Sequence, residues 1–155
     1  MRAQFLTFSI ADEEYGLSIL KVREILEYDA VNRVPRAPAH VRGVINLRGR
    51  VVPVVDLAVR FGLPPSPVTR RSCVVIAEVD LDGEVVVMGI VADAVNQVIE
   101  LGSEDVEPPP SFGTRVEPPF LEGMGRVGKG FVLLLAIDRL LSTPEVEVVA
   151  STPAG

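Results

Sequence analysis

The sequence predicts a mainly β protein made of two small, related units that share one hydrophobic core. Hydrophobic residues make up 48% of the 155 residues and aromatic residues only 5%, so the core must be built mainly from Val, Leu and Ile. Runs of valine such as Val85–Val87 favour strands, because β-branched side chains pack well on a pleated surface. Two parts of the chain also resemble each other, and each is too short to form a core alone.

The internal similarity follows the same order in both parts of the chain. Three pairs of segments align: Gly16–Leu26 on Gly89–Ile99, Gly43 on Gly123, and Val51–Leu57 on Leu133–Arg139. The last pair matches Asp56 with Asp138. We therefore expect a single domain over 1–155 with approximate halves at 12–68 and 69–143, and a flexible tail at 144–155.

The first strand is predicted at 4–11, where it could pair with either half. This N-terminal segment is predicted to be a strand and not a signal peptide, because its short apolar run leads into the acidic residues Asp12–Glu14 and not into a cleavage site. The longest apolar runs, Val85–Ala92 and Phe131–Ile137, are much shorter than the roughly 18 residues that a membrane helix needs. Nothing in the sequence predicts a membrane span.

The remaining elements are predicted in the same order in each half: an acidic turn, a second strand, a helical turn, a hairpin that starts at glycine, and a last apolar strand. The helical turn rests on apolar residues that recur at intervals of three and four. In the first half these residues are Ile19, Val22, Ile25 and Leu26. Short helices are expected after Asp56 and Asp138, the first ending at Gly62 and the second before Pro144.

Charge and cysteine content exclude several classes of function. The formal net charge of −6 provides no positive field for a nucleic-acid backbone or an anionic membrane surface. Cys73 is the single cysteine, so no intramolecular disulfide is possible, which is consistent with a reducing cytosol. The apolar stretch around Cys73 favours a buried structural thiol.

The inventory of catalytic side chains is poor. His40 is the single histidine, and no G-x-S-x-G nucleophile elbow is present, so neither a metal site nor a catalytic triad is predicted. The segment Gly123–Gly130 nearly satisfies a phosphate-loop pattern, but it lacks the terminal hydroxyl and a following helix, which favours a β-hairpin. Asp82–Gly83 likewise predicts a hairpin turn and not half of a calcium loop.

Three blocks of the sequence resemble the CheW-like chemotaxis coupling proteins, a family of adaptors. They are "FLTFSIADEEYGLSILKVREI", "GVINLRGRVVPVVDL" and "LEGMGRVGKGFVLLLAIDRLL", and the resemblance covers roughly residues 4 to 142. The N-L-R-G segment, Asn46–Gly49, is the most specific of these signatures. The resemblance implies two five-stranded SH3-like barrels around a shared hydrophobic core, with short helices, which agrees with the internal repeat.

The resemblance also implies a function without catalysis and without a cofactor or metal. Members of the family link the cytoplasmic tip of methyl-accepting chemoreceptors to the regulatory domain of a CheA-type histidine kinase, in a two-component chemosensory pathway. The expected location is therefore the cytoplasm, with recruitment to receptor arrays at the membrane. The free protein is expected to be mainly monomeric, with no nucleic acid as partner and no insertion into the membrane.

By the same resemblance, the receptor contact falls near the groove between the barrels, while the kinase contact is not assigned to residues. The matching positions for the receptor are Val22, Glu24, Gly43, Asn46, Arg48 and Val74. For Val22 and Val74, a role in the core is an equally good interpretation. Arg48 is expected in a two-residue turn, where its guanidinium could pair with a receptor carboxylate or with Glu24.

Alternatives to this function stay open. The chain could be a CheW-like module of a non-flagellar chemosensory pathway that controls pili, gliding motility or gene expression. It could also be a piece of a larger kinase or of a fused adaptor, although the Met1 start favours a complete small protein. A nucleotide-binding enzyme using 123–130 is a weaker alternative. Arg70 and Arg71, between the halves, could pair with the kinase or face solvent.

Overall fold

The computed structural model describes residues 2–109, 116 and 118–141; the predicted tail at 144–155 lies outside these ranges. Eleven strands are present within them: β1 (Arg2–Ile10), β2 (Glu13–Ser18), β3 (Val22–Glu27), β4 (Val41–Leu47), β5 (Arg50–Val55), β6 (Cys73–Leu81), β7 (Glu84–Ala92), β8 (Ala94–Gly102), β9 (Val106–Glu107), β10 (Leu121–Val127) and β11 (Gly130–Leu135). The α-helices are α1 (Leu57–Arg60) and α2 (Ile137–Leu140). Single 3-10 turns lie at Ile19–Lys21, Tyr28–Ala30, Ser103–Asp105 and Pro118–Phe120.

The strands form two sheets with the same internal order. Sheet A has the order β8-β1-β2-β11-β10-β9, and sheet B has the order β3-β6-β7-β5-β4. The predicted mainly β class is confirmed. Sheet A has one strand more than the five predicted, because the two-residue β9 pairs with β10. In sheet B an isolated bridge between Asn32 and Val44 takes the place of that short strand.

The two sequence repeats exchange strands. The first repeat gives β1 and β2 to sheet A and β3, β4 and β5 to sheet B, whereas the second gives β6 and β7 to sheet B and β8 to β11 to sheet A. The approximate halves at 12–68 and 69–143 therefore each contribute to both sheets. The N-terminal strand, predicted at 4–11, pairs with β2 of its own repeat and with β8 of the other.

The repeat alignment has a structural basis at two glycines. In sheet A, Gly16 lies beside Leu134 where β2 and β11 run parallel, and in sheet B, Gly89 lies beside Val54 where β7 and β5 run parallel. A Cβ atom on Gly16 would lie 2.9 Å from Leu134, and one on Gly89 would lie 2.7 Å from Val74. Since both sites lack room for a methyl group, the matched glycines permit the close packing at each parallel junction.

The predicted match of Asp56 with Asp138 is not the structural one. The elements β4, β5 and α1 begin 80 residues before β10, β11 and α2, so Asp56 is equivalent to Ala136. Asp56 caps α1 as predicted, because its carboxylate accepts the N–H of Ala58 at 3.0 Å. Asp138 instead lies inside the first turn of α2 and accepts from Lys21 Nζ at 2.8 Å.

The predicted helical turn near residue 19 is only one 3-10 turn, and strand β3 follows it. A β-bulge at Arg23 shifts the register between β3 and β6, so Val22 pairs with Ala77 but Glu24 pairs with Ile76. The extra residue breaks the two-residue alternation of a strand, which explains why the apolar spacing imitates a helix. The same irregularity recurs in β8, opposite Thr7 and Phe8 of β1.

Buried side chains form one shared cluster between the sheets and one smaller cluster within each sheet. The shared cluster includes Phe8, Tyr15 and Leu17 from sheet A with Val75, Met88 and Ile90 from sheet B. The second cluster, inside sheet B, is Ile45, Val52, Val54, Val74, Ile76 and Val91; the third, inside sheet A, is Phe5, Leu101, Val132 and Leu134. Within the described ranges, no helix has the length and apolar character required to span a membrane.

Candidate partner-docking site

The β4–β5 turn that carries the N-L-R-G signature is a two-residue hairpin turn, as predicted. Arg48 and Gly49 both have positive φ, at 52° and 84°, which is the geometry of a type I′ turn. The Asn46 side chain holds this turn, since its Oδ1 accepts the Gly49 N–H at 3.0 Å. Asn46 therefore has a defined local role.

Arg48 reaches across sheet B to Glu24. Its Nη1 donates to Glu24 Oε2 at 2.7 Å, and its Nη2 donates to Glu24 Oε1 at 3.3 Å. Because β3 and β4 are the two edges of sheet B, this pair connects the ends of the curled sheet. The bidentate geometry fixes both side chains at the surface, even though 73% of the Arg48 side chain is exposed.

The electrostatics of this pair follow from its geometry. The hydrogen bond from Arg48 lowers the pKa of the Glu24 carboxyl below its ordinary value, with a smaller opposing effect from partial desolvation. The same hydrogen bond raises the pKa of Arg48. Both groups are therefore charged at neutral pH, and the pair presents a fixed guanidinium to solvent.

The other three predicted contact residues are partly or fully buried. Val22, at the start of β3, is partly buried and packs against the shared cluster. Gly43 is buried at a bulge in β4, where a Cβ atom would lie 2.7 Å from the carbonyl carbon of Asn32 and closer still to its oxygen. Val74 is 0% exposed inside sheet B, so it has no surface with which to touch a partner.

The structure thus brings Glu24, Asn46 and Arg48 together at one surface, with Val22 at its border. Gly43 and Val74 support that surface from within. Val74 is fully buried, in line with its alternative interpretation as a core residue, and its register partner across the sheet is Leu26 of β3. Arg50, exposed beside the turn, has no ion pair among the described residues.

Sequence reasoning missed a buried polar network beside this surface. Arg42 of β4 donates from Nε to Asp56 at 3.1 Å, from Nη1 to the Tyr28 hydroxyl at 2.5 Å, and from Nη2 to the Ser66 carbonyl. Asp56 is 0% exposed and also accepts the Ser66 N–H at 3.0 Å. The network fastens the proline-rich connection between the repeats to sheet B.

The signal for this network in the sequence was incomplete. A short helix was predicted directly after Asp56, and this part is confirmed. The partner Arg42 lies between the buried residues Val41 and Gly43, so strand alternation predicts an outward, solvated side chain. Only the folded chain shows that the segment around Ser66 covers it.

The residues considered for catalysis are placed in structural roles. The carbonyl of His40 accepts the Asp56 N–H at 2.7 Å, and Cys73, partly buried, lies at the start of β6. Desolvation, with a smaller effect of the Glu27 charge, raises the pKa of the Cys73 thiol and so disfavours the thiolate. The segment Gly123–Gly130 spans the β10–β11 hairpin, as predicted, with no helix N-terminus behind it.

Metal ligands are also not gathered in the described parts of the chain. Across residues 2–109, 116 and 118–141, no group of three or more His, Cys, Asp or Glu side chains has the arrangement of a metal site. Asp82 and Gly83 form the β6–β7 turn, with φ of 54° and 86°, and the Gly83 N–H donates to Asp80 at 2.8 Å. This confirms the predicted hairpin turn.

Comparison with known proteins agrees with this architecture. The CheW-like domain matches residues 4–145. The chain is 38% identical over 146 residues to the chemotaxis protein CheW of Klebsiella aerogenes, covering 94% of this chain and 86% of that protein. It is 32% identical to CheW of Treponema pallidum, covering 96% and 87%.

A solved structure shows the same fold. The scaffolding protein TtCheW from Thermoanaerobacter tengcongensis superimposes with a TM-score of 0.81 at 31% sequence identity, covering 94% of this chain and 91% of that one. This relative is named as a scaffold, which agrees with the prediction of a protein without enzymatic activity. The two strand-exchanged sheets, the N-L-R-G turn and these matches together show that the chain belongs to the CheW-like family of chemotaxis proteins.

Proposed function

We propose that this chain is an adaptor that couples the cytoplasmic tips of chemoreceptors to the regulatory domain of a CheA-type histidine kinase. The observation that carries the proposal is the exposed Arg48–Glu24 pair at the N-L-R-G turn. A guanidinium held in one orientation, and largely exposed, is suited to orient a partner. The names of the relatives, chemotaxis protein and scaffolding protein, support it.

The receptor contact is assigned to the surface formed by Glu24, Asn46 and Arg48, with Val22 at its border. A guanidinium has five N–H donors, and Glu24 uses two of those of Arg48, so further donors remain for a receptor carboxylate or carbonyl. Gly43 and Val74 belong to the same site through the shape of the sheet beneath it. On this proposal, changes at these two positions alter the position of β3 and β4 and not a direct contact.

The kinase contact is assigned to the opposite hairpin, β10–β11. Phe131, at its start, is 49% exposed, which is unusual for a large aromatic side chain and typical of a docking residue. Its equivalent in the other repeat, Val51, is 42% exposed but lies opposite Asn46 on the hairpin assigned to the receptor. Two equivalent hairpins therefore provide two separate docking surfaces.

The test is a set of separate titrations of the chain with the receptor hairpin tip and with the kinase regulatory domain. Arg48→Asp is expected to weaken receptor binding about tenfold or more and to leave kinase binding unchanged, whereas Phe131→Lys should do the opposite. Arg50→Asp is the matched control, since Arg50 is exposed one residue beyond the same turn. If neither partner binds the wild-type chain, the coupling function is overturned.

A charge exchange separates orientation from simple attraction. In Glu24→Arg/Arg48→Glu, the pair is kept while its polarity is reversed. If Arg48 contacts a receptor acid directly, the double variant remains as weak as Arg48→Asp. Recovery of receptor affinity would instead show that the pair only holds β3 against the β4–β5 turn, and would contradict the direct contact.

The alternative of a non-flagellar chemosensory pathway uses the same two surfaces. It differs only in the receptor and kinase that the chain joins, so titration against cognate pairs from each pathway distinguishes the two. Recruitment to receptor arrays follows from the same contacts. We also propose that the free chain is mainly monomeric; sedimentation that shows a tight dimer at micromolar concentration would contradict this.

A further inference from the structure

A groove on sheet B lies at the opposite end of the β4–β5 hairpin from the N-L-R-G turn. It has a volume of about 670 Å³, and its walls are the loop at 33–39, the start of β4 and the connection between the repeats. Five of its eleven lining residues are proline or alanine, and Tyr28, Arg33, Arg36 and Arg42 also line it. This groove has no part in the proposed receptor or kinase contacts.

The charge of the groove opposes the charge of the protein. Three arginines line it and no acidic side chain does, in a chain whose net charge is −6. Arg42 is occupied by Asp56, Tyr28 and Ser66. Arg33 and Arg36 are exposed and, among residues 2–109, 116 and 118–141, have neither an ion pair nor a side-chain hydrogen bond. They are the two uncommitted cations of this surface.

The groove is distinct from the receptor surface. Arg42 and Arg48 stand at opposite ends of the β4 hairpin strand, six residues apart. At about 3.3 Å per residue, they are about 20 Å apart along the strand. A ligand in the groove therefore does not need to touch the Arg48–Glu24 pair.

We propose that this groove is a docking site for an extended acidic segment of a protein partner, with Arg33 and Arg36 as the residues that bind its carboxylates. Each guanidinium can hold a carboxylate through two parallel hydrogen bonds. The open shape and the proline and alanine residues of its lining fit a chain lying along the surface, with small apolar side chains between its acids. This inference does not depend on the proposed coupling function.

The test uses a fluorescein-labelled peptide that repeats Glu-Glu-Ala-Pro, and a matched peptide with Gln in place of Glu. Anisotropy is expected to show binding of the Glu peptide at about 50 mM salt and weaker binding at about 300 mM, because screening reduces exposed charge attraction. Amide NMR shifts are expected to be confined to the non-proline residues of the 33–42 segment and to Ser66, which follows Pro65. Equal binding of the Gln peptide, or no binding of the Glu peptide, would overturn the proposal.

Two variants and one control assign the effect to these residues. Arg33→Glu/Arg36→Glu is expected to weaken peptide binding about tenfold or more, while Arg50→Glu/Lys129→Glu, with the same change of net charge at exposed turns, should change it less than about twofold. Arg33→Gln/Arg36→Asn guards against misfolding, since Arg36 has a φ of 64° that asparagine tolerates. It must also weaken binding.

The remaining outcomes are equally decisive. If the control variant loses as much affinity as the groove variants, the attraction is general and the site does not exist. If inorganic phosphate alone, at millimolar concentration, reproduces the amide shifts of the peptide and displaces it, the groove binds a small anion and the assignment to an acidic protein segment is overturned.

Discussion

Gly43 is a buried residue whose position leaves no room for a side chain. It lies at the β4 bulge, where the Asn32–Val44 bridge brings a second backbone segment against it, with hydrogen bonds of 2.7 and 2.8 Å. A side chain at this position must displace the carbonyl of Asn32. On the proposed receptor contact, Gly43 would therefore act through the shape of β4 and not by touching the receptor.

We expect Gly43→Ala to lower the free energy of unfolding by more than about 2 kcal/mol, because backbone must move to admit the methyl group. Urea denaturation followed by circular dichroism measures this. Gly130→Ala is the matched control, since the nearest atom to its new Cβ would be 4.0 Å away, and it should be neutral or slightly stabilising. A neutral Gly43→Ala would contradict the steric account.

The titration of Glu24 gives a second test at this scale. Its folded pKa is lowered, mainly by the hydrogen bond from Arg48, so the pair stabilises the fold above the pKa of an unfolded glutamate. That contribution is lost as the pH falls through the lowered folded pKa. NMR titration of the Glu24 carboxyl should show a midpoint below the ordinary range in the wild type, and an ordinary one in Arg48→Gln.

At the residue scale, the sequence predicted what depends on local geometry. The turn at Arg48–Gly49 and the cap at Asp56 are confirmed, because each is determined by its immediate neighbours. The partners of Arg42 and the burial of Val74 depend on segments distant in the chain, which no local pattern shows. The docking residues themselves came from the family resemblance.

At the scale of elements, hydrogen bonds at Ser66 attach the connection between the repeats to sheet B. Ser66 is 4% exposed, and its N–H and hydroxyl both donate to Asp56. Arg42 completes the contact from β4. A segment rich in proline, which cannot pair as an inner strand, is thereby fixed to sheet B by one buried carboxylate.

We expect Asp56→Ala to destabilise the fold by about 3–5 kcal/mol, because the partly buried Arg42 would lose its ion partner and the N–H groups of Ala58 and Ser66 would lose their acceptor. The control is Asp138→Ala, whose carboxylate is 38% exposed, pairs with Lys21 and accepts the Asp80 N–H at 2.8 Å; it should cost about 1–2 kcal/mol, since both contacts lie at the surface. Thermal unfolding of both variants gives the comparison. Equal losses would show that the network at Asp56 has no special weight.

The element boundaries missed by the sequence have one physical cause. The bulge at Arg23 in β3, like its counterpart in β8, places an extra residue in the strand and shifts the apolar side chains by one position. The apolar residues then recur at intervals of three and four, a spacing that predicts a helix. The pairing of β3 with β6 and of β8 with β1 decides the outcome, and in each case the partner strand comes from the other repeat.

At the scale of the whole molecule, the exchange of strands makes the repeats interdependent. Sheet A takes β1 and β2 from the first repeat, and sheet B takes β6 and β7 from the second. The shared cluster joins residues of both sheets. Neither repeat therefore contains a complete sheet.

We expect fragments 1–69 and 70–155 to be unfolded when produced separately and to fold together when mixed. Amide NMR spectra should be collapsed for each fragment and dispersed for the equimolar mixture. The intact chain should show one cooperative unfolding transition by two independent probes. A dispersed spectrum from either fragment alone would contradict the interdependence.

The repeat alignment predicted two related units with a common core, and the fold confirms both. It could not predict the exchange, since identical strand orders arise whether the first two strands of a repeat stay with it or cross over. The register of matched elements was right at Gly43 and Gly123 but shifted by two residues at Asp56. Only the pairing of β5 with β7 and of β11 with β2 settles it.

The strand exchange within a single chain also allows the two faces of the molecule to differ. Each repeat completes its sheets only with strands from the other, as in a domain-swapped homodimer whose protomers are joined in one chain. In a true homodimer the two faces must be identical. Fusion removes that requirement, and equivalent positions now differ: arginine at 42 against glutamate at 122, valine at 51 against phenylalanine at 131. One repeated fold thus presents two unlike faces, as the proposed coupling of two unlike partners requires.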